Sequence, residues 1–281
     1  VLVGQKSEKE KFAGAVDTYT LEAMMLDGKA LQSGTSHYLG QNFSSAFEIK
    51  YLDKDGQLKN PYQTSWGVST RLIGALIMAH GDQRGLKLPP RVAPVQVVVV
   101  PVAAHKEGVL DKASEVAATL RAQGIRVELD DREQSPGWKF NEWEMKGVPV
   151  RLEIGPRDIE NGQVMIARRD THDKFAMQIS ALSCEIPALL DDIQQNMFKQ
   201  SHEFLHSHIQ VCHSLDEMKQ ALDDHKFVKA MWCGDRCCED KIKEQFSATS
   251  RCMPFDQTPV GDVCPVCGKA ASKVIYYARA Y

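Results

Sequence analysis

The stretch QVVVVPVAAHKEGVLDKASEVAATLRAQGIRVEL, residues 96–129, decides the fold class of the middle of the chain. Residues 96–102 are a β-branched run suited to a strand buried on both faces. Val109, Leu110, Ala113, Val116, Ala117 and Leu120 then recur at helical spacing, Gly124 closes the helix, and IRVEL alternates as a second strand. VPVRLEIG and GQVMIARRD are further strand candidates. This strand–helix–strand alternation predicts a small α/β domain.

Working outward, the turn-rich LKLPPRVAP marks a boundary on the upstream side. Residues 1–93 read as mixed α and β, and residues 94–199 as the α/β domain. Charged helices rich in Lys, Gln and Glu fill residues 186–225, and residues 200–281 carry most of the cysteines. The start, VLVGQKSEKEKF, reads as a chain entered part-way through a domain. Hydrophobic residues make up 43% and charged residues 25%, an ordinary globular balance. No apolar run reaches the roughly 18 residues of a membrane span. A net charge of −3 argues against a general DNA coater, yet leaves room for a local basic groove for RNA.

Three motifs carry chemistry. In SWGVSTRLIGALIMAHGD, residues 65–82, positions 72–79 are apolar or Gly all round, which predicts a helix buried on every side. Arg71 at its start then needs an anion, either a ligand or a core carboxylate. DDREQSPGWKFNEWEMKGVP, residues 130–149, interleaves basic and aromatic residues, as unstacked bases require. The alternative is a hairpin whose aromatics, Trp143 above all, pack beneath a sheet. The cysteine motifs are MWCGDRCCED and DVCPVCGK. They pair Cys264 with Cys267, and Cys233 with Cys237 or Cys238. Two such short pairs fit a tetrahedral structural metal site in a reducing compartment, with Cys252 a further competitor. Cys184 and Cys212 read as small buried apolar residues. No Ser/His/Asp or Cys/His set stands out, which argues against a hydrolase.

The strings QSGTSHYLGQNF (32–43), SWGVSTRLIGALIMAHGDQRGLKLPPRVAPVQVVVVP and DDREQSPGWKFNEWEMKGVPVRLEIGPRD resemble the prolyl-tRNA synthetases of the archaeal and eukaryotic cytoplasmic type. The resemblance runs along essentially the whole chain and identifies it with the C-terminal half of these class II enzymes. It implies an α/β and α+β multidomain chain. Residues 1–93 would be part of an antiparallel-sheet catalytic domain, 94–199 a mixed-sheet anticodon-binding domain, and 200–281 a small α+β zinc domain.

The implied activity is that of a proline–tRNA ligase, which activates L-proline with ATP and Mg²⁺ to prolyl-adenylate and transfers it to tRNA(Pro). By resemblance, Arg71 is the motif 3 arginine that contacts ATP, a task for a planar, permanent cation. Gln32, Thr35 and Ser69 join it at the nucleotide. His37, Ser65, Trp66 and Gly67 line the proline pocket. Proline codons begin CC, so the anticodon offers two adjacent guanines, and Asp131, Arg132, Lys139, Glu142 and Arg157 are implied to read them. Tyr281 would fold back toward the active site. Cys233, Cys238, Cys264 and Cys267 would hold structural Zn²⁺. The family's motifs 1 and 2 lie upstream, so this polypeptide is expected not to form prolyl-adenylate alone. A homodimer through the catalytic domain, a cytoplasmic location, and no membrane or DNA partner follow from the same resemblance. The rival reading is a noncatalytic RNA-binding or regulatory relative, which would have no use for Arg71, Gln32 and Thr35.

Overall fold

Val97–Val100 are fully buried because strand Val97–Pro101 is covered on both faces, as the unbroken apolar run predicts. It lies in a five-stranded sheet ordered Val127–Leu129, Val97–Pro101, Val150–Ile154, Gln163–Arg168 and Lys174–Gln178. The first three strands are parallel, and the last two continue antiparallel. Val97 and Val99 share a core with helices Val109–Arg121 and Leu182–Ser207. Val98 and Val100 instead meet Trp143 and Phe140 of helix Pro136–Met145. That helix replaces the hairpin alternative for residues 130–149. Ser135 caps it, accepting a hydrogen bond from the Trp138 N–H, and Pro136 occupies its first turn.

The computed structural model describes residues 1–281. His80–Ser201 form one compact unit around that sheet. Within it, the short hairpin Gly81–Asp82/Gly85–Leu86 is pinned by Arg169, whose guanidinium donates to both Asp82 oxygens at 2.8 and 2.7 Å. Gly85 has φ +130°, and a Cβ there would lie 2.3 Å from the Met145 Cα, so only glycine fits.

Val1–Ala79 and His202–Tyr281 form the other unit. Its eight-stranded sheet runs Ile209–Val211, Phe227–Trp232, Lys273–Ala278, Thr249–Pro254, Leu2–Gln5, Asp17–Met24, Ala30–Gly40, Gln63–Gly67. All neighbours are antiparallel except the first pair. The first and last stretches of the sequence therefore share one sheet, with Gly4 opposite Pro254 and Gln5 opposite Met253. A Cβ on Gly4 would lie 2.2 Å from the Met253 carbonyl oxygen, so glycine permits this close pairing. Strand Asp17–Met24 turns Thr18, Thr20 and Glu22 inward, giving the sheet a polar seam.

Helix Arg71–His80 departs from expectation. Only Ala75 is buried; Leu72, Ala75 and Met78 pack on Met25 and Leu31, while Ile73 is 61% and Ile77 51% exposed. An all-apolar helix reports what its faces can bury, and here one stripe at i, i+3, i+6 finds partners within the chain.

Candidate functional site

Three sites gather the residues singled out in the sequence. The first lies on strands Ala30–Gly40 and Gln63–Gly67. Their register sets Thr35 opposite Gly67, Ser36 opposite Trp66 and His37 opposite Ser65. An open pocket of about 320 Å³ lies here, lined by Tyr19, Leu21, Thr35, Trp66, Gly67 and Val68 among others. His37 is held at both ring nitrogens: Nδ1 lies 2.9 Å from the buried Thr18 hydroxyl and Nε2 3.1 Å from that of Thr35. Burial lowers its pKa, which keeps the imidazole neutral at pH 7. Gln32 is on the same strand, paired with Glu22. Arg71 is exposed rather than buried, and its backbone N–H bonds the Ser69 hydroxyl at 3.3 Å. Its guanidinium has no carboxylate partner, so the core-pair alternative does not form. At the far end of the chain, the Tyr281 hydroxyl donates to Asp27 at 2.6 Å and its N–H to the Ala30 carbonyl at 3.2 Å. The C-terminal residue is thereby tied to the turn that leads into strand Ala30–Gly40.

The second site follows strand Val127–Leu129. Arg132 donates Nε to Asp130 Oδ1 at 2.8 Å and Nη2 to Oδ2 at 2.7 Å. Its Nη2 also reaches Glu142 Oε2 at 2.5 Å, and its guanidinium lies 5.3 Å from the Trp138 ring centre. Trp143 is buried and donates its indole N–H to Asp130 at 2.7 Å, so it packs as the alternative reading of that residue has it. Lys139 is only 2% exposed, with Nζ turned inward on the Asp130 carbonyl at 2.9 Å. It therefore stands behind the site rather than on its surface. Asp131 is exposed beside Arg132, and Arg157 is exposed on the separate helix Pro156–Glu160. Asp130 was not among the residues singled out. The signal that could have found it is a carboxylate at a strand end two residues before an arginine.

Burial alone would raise the Asp130 carboxyl, but hydrogen bonds from Arg132 and Trp143 and the Lys139 charge hold it at about 2. A carboxyl depressed in the folded state stabilises above its unfolded pKa of about 3.9 and loses that contribution as pH falls toward 2. The His80–Ser201 unit is expected to lose on the order of 1–2 kcal/mol between pH 4 and pH 2 through this group, discounted for its half-exposed arginine partner. Urea titrations across that range on the parent and Asp130→Asn check this, since the variant should show a flatter profile.

The third site is the cysteine cluster. The Sγ atoms of Cys233, Cys238, Cys264 and Cys267 all lie within 4.8 Å of one another. Cys233 is 3.6 Å from Cys238 and 3.7 Å from Cys267. Four sulfurs about 2.3 Å from a tetrahedral ion sit about 3.8 Å apart, so the donor set and its spacing fit a structural zinc. Cys237 faces solvent, outside the cluster, and Cys252 is buried elsewhere. The Cys267 thiol is lowered to about 7, chiefly by the Lys269 backbone N–H, which readies this sulfur to ionise. Cys212 is buried as expected, but Cys184 is exposed. It lies on helix Leu182–Ser207, whose inward positions Leu182, Ile186, Leu190 and Ile193 leave it on the outer side.

Residues 96–189 match the family model described as "Anticodon binding domain". Residues 215–281 match "Prolyl-tRNA synthetase, C-terminal". Over 100% of its length the chain is 57% identical to the proline–tRNA ligase of Alkaliphilus oremlandii, and 56% to that of Clostridium novyi. The crystal structure of prolyl-tRNA synthetase from Cryptosporidium parvum, complexed with L-proline and AMP, aligns with all of this chain at a TM-score of 0.92 and 40% identity. Along its whole length the chain is thus similar to prolyl-tRNA synthetases. It spans 59% of the length of these two ligases and 62% of the crystallised chain. Among its helices, none is long and apolar enough to cross a membrane.

Proposed function

We propose that the chain is the tRNA-recognising, zinc-bearing portion of a proline–tRNA ligase and contributes part of its active site. The observation that carries this reading is its identity of 57% to a proline–tRNA ligase over the whole chain. In the reaction, the proline carboxylate attacks the α-phosphorus of ATP, giving prolyl-adenylate and pyrophosphate. A ribose hydroxyl of the tRNA terminus then takes the prolyl group and releases AMP. Catalysis of this kind rests on placement and charge stabilisation rather than on a nucleophilic side chain.

In this reading residues 1–93 belong to the catalytic domain, 94–199 read the anticodon, and 200–281 form the zinc domain. Arg71, free of any internal carboxylate, receives ATP together with Gln32, Thr35, Ser69 and Mg²⁺. His37, Ser65, Trp66 and Gly67 shape the proline pocket, where an indole face suits the pyrrolidine ring. Tyr281 steadies the turn behind them. Asp131, Arg132, Glu142 and Arg157 meet the anticodon, with Lys139 supporting from beneath. The four cysteines hold Zn²⁺, and the enzyme works as a cytoplasmic homodimer joined through its catalytic domain.

The test is binding of this chain to tRNA(Pro) and to the same tRNA with its two anticodon guanines replaced, at one fixed salt concentration. The expected loss is about 1–3 kcal/mol per guanine. Equal binding of the two RNAs would point instead to a general RNA-binding relative.

A further inference from the structure

We propose that Asp130 is a positioning residue for guanine recognition: it aims Arg132 at one unstacked guanine, which Arg132 and Glu142 read together. This rests on the anticodon reading above and specifies how that site discriminates.

Asp130 is a buried carboxylate, its side chain 0% exposed. Desolvating a charge is costly unless every lone pair is satisfied. Here two nitrogens of Arg132 and the indole of Trp143 bond the carboxylate oxygens, and the Lys139 ammonium stands 3.8 Å from Oδ1. Of these partners only Arg132 reaches solvent; its side chain is 41% exposed. The forked contact fixes the guanidinium plane, which a single hydrogen bond would leave free to rotate.

What the fork leaves over is the outer edge of the guanidinium. Nη1 makes no hydrogen bond, and the second Nη2 proton is lent to Glu142. That edge is the one that can donate to guanine O6 and N7 at once. Glu142, next to it, can accept from the guanine N1–H and N2–H₂, so the base would exchange an internal contact for a matched set on two of its edges. Adenine keeps the N7 acceptor but turns an amino group toward Arg132 in place of O6 and presents a bare N1 to Glu142. The adjoining pocket, lined by Asp131, Arg132, Trp143 and Lys146, is about 240 Å³. That is below the roughly 300–1,000 Å³ of sites for drug-sized ligands, a scale suited to a single base.

The experiment uses the whole chain and two anticodon stem-loop RNAs, one with the guanine pair and one with adenines in its place. The readout is the ratio of the two affinities. If the parent chain shows no ratio, the anticodon reading itself fails. Given a parent ratio, Asp130→Asn is expected to reduce it about tenfold, Arg132→Ala to reduce it at least as far and leave only the part set by the other guanine, and the double variant to match Arg132→Ala. Asp130→Asn retaining the full ratio, or lowering affinity for the guanine RNA further when added to Arg132→Ala, would overturn the proposal. Should Asp130→Asn fail to fold, Trp143→Phe decides. It keeps an aromatic ring in the core and removes only the N–H to Asp130, and is expected to reduce the ratio about threefold. An unchanged ratio in that variant would also overturn the proposal.

Discussion

Stripping the metal proposed for the four cysteines, by a chelator under reducing conditions or by Cys264→Ser, is expected to unfold residues 202–281 while His80–Ser201 stays folded. No disulfide cross-links that region, all of its cysteines being free, so the metal would be its one cross-link. Cys233 and Cys238 hold the start of helix Arg236–Phe246, and Cys264 and Cys267 close a knuckle in which the Cys264 N–H meets the Lys269 carbonyl at 2.9 Å. A structural zinc in such a setting contributes about 10–16 kcal/mol of apparent binding free energy at neutral pH, which is folding free energy when no preformed site survives unfolding. The loss should extend to the opposite end of the chain. Strand Leu2–Gln5 pairs with Thr249–Pro254, and Glu239, beside Cys238 on the same helix, accepts hydrogen bonds from the hydroxyls of Ser7 and Ser250. Residues 2–24 should therefore lose amide protection together with residues 227–278. Hydrogen exchange read by mass spectrometry checks each segment. Exchange rising equally in Val97–Pro101 would contradict the independence of the two units, and exchange rising nowhere would remove the metal from the account.

The parts of this molecule that could be read from sequence are those fixed by neighbours in the chain. Four consecutive valines have no alternating face, so the doubly covered strand at Val97 was legible. The short-spaced cysteine pairs held enough geometry to indicate a cluster, although spacing alone left Cys237 and Cys238 equivalent until the turn before helix Arg236–Phe246 directed one inward and the other out. Features that depend on register between distant strands could not be read. Nothing in the local sequence around Glu22 announces a partner 229 residues away. Asp130 draws its donors from positions two, nine and thirteen residues on, a combination that exists only after helix Pro136–Met145 docks beneath the sheet. The helix after Arg71 misled for the opposite reason: its composition describes a preference for burial on all sides, and composition cannot say which faces are met.

Replacing Glu22 with glutamine should destabilise the Val1–Ala79/His202–Tyr281 unit by about 3–5 kcal/mol, the usual cost of breaking one member out of a buried ionic group. Glu22 is 0% exposed, Lys6 5% and Arg251 7%. One carboxylate answers two cations: Lys6 Nζ is 2.7 Å from Oε1, and Arg251 donates Nε and Nη2 to Oε2 at 3.0 and 2.7 Å, with the Thr20 hydroxyl adding a bond at 2.8 Å. Glutamine keeps the volume but leaves two buried cations facing an amide. Arginine cannot give up its proton, so Lys6 must. Burial already lowers the Lys6 pKa, against the opposing pull of Glu22, with Arg251 pushing the same way as burial. Removing Glu22 lowers it further. An amine depressed in the folded state binds fewer protons than in the unfolded chain, whose lysine titrates near 10.4, so stability rises with pH below that value. The deficit of the variant should thus be largest at pH 7 and shrink as pH approaches 10. Amide exchange of strand Asp17–Met24 in parent and variant at pH 7 and 9.5 measures both the size and the slope. A deficit under about 1 kcal/mol at pH 7, the level of an exposed pair, would mean the triad is solvated. A deficit constant with pH would mean that Lys6 keeps its proton and the cost is carried by packing. The triple change Lys6→Met, Glu22→Leu and Arg251→Met separates these outcomes, because removing every charge should restore most of the stability that removing one destroys.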